Sequence, residues 1–97
     1  MADYVLLMKL TDKGVRAAKD IPARIAEGTK AWEAMGGKML SFHATMGPYD
    51  YVAVVEAPSD EIAAGYALAL ASQGNVTTLS MKAFTPEQMG AIVARLP

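Results

Sequence analysis

The chain has 97 residues, enough for one domain with one core and too few for separate cofactor and substrate domains. Nine Lys and Arg against ten Asp and Glu leave a net charge of −1, so the basic footprint that nucleic-acid phosphates require is missing. The absence of cysteine excludes disulfides, thiolate metal sites, thiol nucleophiles and iron–sulfur ligation.

Hydrophobic residues make up 53% of the chain, above the ~45–50% usual in globular proteins. In so small a domain the excess must line a pocket or meet another subunit, which predicts a homodimer or larger homo-oligomer. A domain this small without disulfides fits a reducing cytoplasm. No basic region precedes an apolar run at the N-terminus, and no apolar run is long enough for a membrane span. The expectation is a soluble cytoplasmic protein without nucleic-acid or membrane partners.

In chain order, Tyr4 to Leu10 alternates as a strand, with Tyr4, Leu6, Met8 and Leu10 facing one way and Val5, Leu7 and Lys9 the other. Thr11 or Asp12 can cap a helical segment running to about Lys19. Pro22 disfavours helical geometry at Ile21 and suits the first turn of a second helix, from about Ala23 to Met35. Ile25, Gly28, Thr29, Trp32 and Met35 form its inner stripe, and Gly36-Gly37 stops it. Residues 38–46 and 50–57 read as two strands of an antiparallel hairpin, with Pro48 presetting the turn between them.

Ser59 or Asp60 caps the next helix, about Glu61 to Gln73, whose alanines predict close packing on a sheet, and Gly74 closes it. Asn75 to Phe84 alternates again: Val76, Thr78, Ser80 and Lys82 against Thr77, Leu79, Met81 and Ala83. Thr85-Pro86-Glu87-Gln88 is a capped helix start, followed by the apolar stripe Met89, Ile92, Val93 and Leu96. The order βαββαβ plus a terminal helix is the ferredoxin-like α+β arrangement, a four-stranded antiparallel sheet with helices on one face, in a single domain over residues 1–97. The other sheet face would then be bare apolar surface. Two such faces packed together make a dimeric α/β barrel that can enclose a ligand.

Gly47-Pro48-Tyr49-Asp50, with Thr11-Asp12-Lys13-Gly14, Arg24, Gly36-Gly37-Lys38, Glu56-Ala57-Pro58, Gly74-Asn75-Val76 and Ala83-Phe84-Thr85, gives the chain a family likeness over nearly its whole length. It resembles the GYD-domain family of small bacterial and archaeal proteins, named for a Gly-x-Tyr-Asp-type motif. The resemblance implies membership of the dimeric α/β-barrel superfamily and carries no general activity with it.

The candidate site residues each have two readings. In the Gly47–Asp50 segment, turn chemistry accounts for every residue, Asp50 taking local backbone hydrogen bonds and Tyr49 covering a core edge. Alternatively Tyr49 and Asp50 stand at a barrel mouth, the phenol acting as a donor oriented by the carboxylate. His43 is the only histidine. By alternation it shares a face with Met39, Ser41 and Thr45, either as a hydrogen-bonded interface residue or as a general acid/base or haem ligand. One histidine without cysteines makes no metal site, and no cofactor is assigned. Lys82 lies in a strand pattern as a solvent-facing end or as a cavity residue with Ser41, His43, Thr78 and Ser80. Arg24 opposes the dipole at a helix start, which suggests a salt bridge with Asp20 or a bound anion.

The catalytic candidates are thus His43, Tyr49 and Asp50, and the ligand-binding set adds Ser41, Lys82 and Arg24. The leading expectation is a homo-oligomer binding a small organic ligand between sheet and helices or between sheets. One alternative is a small oxygenase, isomerase or dismutase-like enzyme using His43, with or without haem. The other is a structural assembly subunit with no ligand site.

Overall fold

In a computed structural model describing residues 1–97, four strands form one antiparallel sheet in the order β2-β3-β1-β4. The strands are β1 (Ala2–Leu10), β2 (Lys38–Ala44), β3 (Tyr51–Ala57) and β4 (Val76–Ala83). Four helices join them: α1 (Asp12–Arg16), α2 (Ile21–Ala34), α3 (Asp60–Ser72) and α4 (Pro86–Ala94), with a 3-10 turn at Ala18–Asp20. The order is the expected ferredoxin-like α+β one. β1 lies at the centre because its helix-facing row, Tyr4, Leu6 and Met8, is buried beside Tyr51, Ala53 and Val55 of β3.

The caps are those the sequence encodes. Thr11 Oγ1 accepts from Gly14 N (3.2 Å) and Ser59 Oγ from Ile62 N (3.2 Å). At α4, Thr85 Oγ1 accepts from Gln88 N (3.1 Å) while Gln88 Oε1 accepts from Thr85 N (2.8 Å), a complete capping box with Pro86 at the first position. Gly36 ends the α2 region at φ +91°. Its neighbour Gly37 lies against the Trp32 indole, which the Cβ of any other residue would overlap.

Three local features depart from the sequence reading. Ile21 is helical (φ −54°, ψ −49°) in spite of Pro22, because Pro22 falls in the first turn, where its missing N–H costs nothing. A bulge between Met39 and Ser41 places Leu40 out of register, so Met39 joins Phe42 against the core while Ser41 and His43 share the opposite face. Finally, α3 is less deeply buried than its alanines predict: Ile62, Ala63, Tyr66 and Leu70 pack against the core, yet none of its residues is fully buried.

The sheet face away from the helices is apolar in its middle. Val5 lies opposite Val54 and Met81, and Leu7 opposite Val52 and Leu79. Leu79 and Met81 are about half exposed, at 48% and 45%. α4 packs extensively on no other element, leaving Met89, Val93 and Leu96 open to solvent and the molecule elongated at 52 × 30 × 19 Å.

Candidate functional site

A cleft of about 370 Å3 lies between the sheet and helices α2 and α3. The α2 stripe Ile25, Gly28, Thr29, Trp32 and Met35 forms one wall, Ala63, Tyr66, Ala69 and Leu70 of α3 another, and Tyr4, Leu6, Met8, Tyr51 and Ala53 the floor. The helices touch across it where the Trp32 and Tyr66 rings meet at a tilt of 52°, their centroids 4.9 Å apart, and the Tyr66 hydroxyl donates to Gly28 O (2.6 Å). Burial pushes the Tyr66 phenol up. Were this volume a sealed empty void it would cost about 9 kcal/mol at ~24 cal/mol per Å3. That is comparable to the ~5–15 kcal/mol stability of a whole domain. Its size and mostly apolar walls are those of a ligand pocket.

Among the six candidate site residues, Arg24 alone lines this cleft. Its Nη2 stands 4.0 Å from Asp20 Oδ2, at the outer limit of an ion pair, and its Nη1 is buried with no hydrogen-bond partner. Trp32 Nε1 and Asn75 Oδ1, also of cleft-lining residues, are buried and unpartnered as well.

Asp50 has a defined structural task. Its Oδ2 accepts from Leu10 N (2.7 Å), its own amide donates to Met8 O (2.8 Å) and its carbonyl accepts from Thr45 N (2.8 Å). It therefore ties the Gly47–Asp50 loop to the end of β1. Thr45 Oγ1 donates to Tyr49 O (2.6 Å), closing the loop, and Gly47 at φ +128° occupies a conformation few other residues adopt. Tyr49 is half-buried beside this clamp.

The sheet separates the remaining candidates. Ser41 and His43 lie on the open face, with His43 exposed. Thr78, Ser80 and Lys82 lie in register with Met8, Leu6 and Tyr4 on the helix side. One cavity formed by Ser41, His43, Thr78, Ser80 and Lys82 is therefore not present, because the strand pleat directs the two sets to opposite faces.

Lys82 belongs instead to a cluster that sequence reasoning missed. The Tyr4 hydroxyl donates to Asp60 Oδ1, and Lys82 Nζ lies 3.2 Å from the same oxygen. The hydrogen bond to Asp60 is the first cause that pushes the Tyr4 phenol up to about 12, with burial and the charges of Asp60 and Glu61 adding to it. The same bond, with that from Lys82, holds the Asp60 carboxyl below its usual range. The cluster joins β1, α3 and β4, and no local pattern signals it. Tyr51 is also raised, by burial first and the Asp50 carboxylate next, with the Arg24 guanidinium pulling the other way.

No group of His, Asp and Glu side chains is arranged to hold a metal ion, and no helix is long and apolar enough to cross a membrane. The model of the GYD domain matches residues 4–93. The chain is also 35% identical over 97 residues, 99% of each chain, to a protein of Thermus thermophilus named glutamine synthetase and cystathionine beta-lyase binding protein. Matched across nearly its whole length, the chain belongs to the GYD-domain family.

Proposed function

We propose that this chain is a cytoplasmic, non-catalytic protein-binding module that forms a homodimer and docks on a metabolic enzyme. The observation that carries the reading is its exposed apolar surface, which lies in two separate places: the sheet face around Val5, Leu7, Leu79 and Met81, and the outer stripe of α4. Surfaces of this kind in a small domain mark interaction sites. The relative that matches end to end is named for binding two metabolic enzymes, glutamine synthetase and cystathionine beta-lyase, and supports enzymes of that class as partners.

The two surfaces suit different partners. The apolar sheet face runs across three strands, so a second copy related by a two-fold axis covers it with the same residues. Sheets packed this way stand about 10 Å apart. α4 projects as an amphipathic helix with its apolar stripe uncovered, the shape recognised by a groove on a partner protein.

The test separates these roles. Light scattering on the purified chain is expected to give a dimer, and Leu7→Lys, which sets a charge in the middle of the sheet face, a monomer. Met89→Ser with Val93→Ser is expected to keep the dimer and lose binding to glutamine synthetase and cystathionine beta-lyase of the same organism. A monomeric wild type, or an α4 variant that binds as the wild type does, contradicts the assignment.

A further inference from the structure

The protein-docking surfaces leave unexplained the cleft between the sheet and helices α2 and α3. Its walls are apolar, so water filling it would find few partners, whereas each buried water needs several polar ones. Its polar features lie toward one end. Arg24 and Tyr51 both line the cleft, Tyr51 opposite Met8 near the end of β1, and the guanidinium charge opposes the rise of that phenol. Asn75 directly precedes Val76, which pairs with Leu10 at that same end. There Arg24 Nη1 is a buried cationic donor with nothing to donate to, and Asn75 Oδ1 a buried acceptor with nothing to accept from.

Neither atom is spent within the fold. Asp20, the only carboxylate within ion-pair range of the guanidinium, meets Nη2 at 4.0 Å and is itself largely exposed. Glu27, one turn along α2, lines the cleft from an exposed position and forms no ion pair with Arg24. A buried guanidinium nitrogen is costly without an acceptor and takes a carboxylate with charge-assisted hydrogen bonds. Beyond it the floor and walls present the hydrocarbon of Leu6, Met8, Ile25 and Leu70 and the Trp32 indole, whose Nε1, also unpartnered, lies against Gly37.

We infer that the cleft is a binding site for an apolar monocarboxylic acid, its carboxylate on Arg24 Nη1 and its hydrocarbon portion between Trp32 and the sheet. An accompanying water, donating to the acid's second oxygen and to Asn75 Oδ1, gives that buried acceptor its partner. This site is independent of the docking surfaces, so it stands or falls apart from the enzyme-binding reading.

Trp32 is the only tryptophan and lines the cleft, so its fluorescence reports occupancy directly. The full-length protein is titrated with decanoate and, as the uncharged counterpart, decanol. Decanoate is expected to bind at least tenfold more tightly than decanol. Arg24→Gln should weaken decanoate by tenfold or more and leave decanol unchanged, while Arg24→Lys recovers part of the loss. Ala63→Phe, which fills the cleft from the α3 side, should remove both signals, with the far-ultraviolet circular dichroism unchanged in each variant. Equal affinity for acid and alcohol, decanoate binding unaffected by Arg24→Gln, or no fluorescence response to either compound overturns the inference.

Discussion

At the scale of single residues, the motif that carries the family likeness works first as a clamp. Asp50 offers one carboxylate oxygen to the amide of Leu10 and its own backbone to Met8 and Thr45. Asp50→Ala leaves the Leu10 amide without that partner, and an unsatisfied, partly buried amide costs about 1–3 kcal/mol. Urea unfolding is expected to show a loss of that size, and an unchanged midpoint would remove the clamp from the account. Tyr4 supplies a second residue-level test. Its folded-state value of about 12 lies above the ordinary 10.0, so the protonated phenol is favoured by folding. That contribution is complete below the ordinary value and fades as pH rises toward 12. An ultraviolet titration should contain a tyrosine ionising at about 12 that disappears in Tyr4→Phe. In the same variant the Asp60 carboxyl rises, since the hydrogen bond from Tyr4 is the main cause of its lowering.

At the scale of elements, most of the fold was legible. Alternation identified the two faces of β1 and β4, and the cap residues Thr11, Ser59 and Thr85 stand where they start helices. What was not legible came from register and from contacts distant in sequence. The bulge at Leu40 reverses Met39 relative to His43, and simple alternation has no means of seeing an inserted residue. The Tyr4–Asp60–Lys82 cluster joins residues far apart in the chain through the β1–β4 register. The alanines of α3 suggested close approach, yet with Trp32 and Tyr66 holding the helices together above the sheet they leave the cleft instead. Of the candidate residues only Arg24 reaches that cleft, and its dipole-opposing position was the signal that marked it. α4 carries its own test. Thr85→Ala breaks the capping box at a cost of about 1 kcal/mol. Because α4 packs extensively on nothing else, the loss should appear as reduced helicity of residues 86–94 in NMR secondary shifts. Global unfolding should barely change. A fall in global stability equal to the local loss would show α4 to be integral to the core.

At the scale of the whole molecule, the buried core is small: Tyr4, Leu6, Met8, Trp32, Tyr51, Ala53, Val55 and Ala57. The apolar excess seen in the composition lies instead on the open sheet face, on α4 and in the cleft. A chain organised in this way is suited to association, and the family relative matched along its whole length is named for binding enzymes. The most direct test is the affinity of the purified protein for glutamine synthetase and cystathionine beta-lyase from its own organism, measured by biolayer interferometry. Binding to at least one of them, abolished by Met89→Ser with Val93→Ser, is the predicted result. A folded wild type that binds neither enzyme would contradict the account.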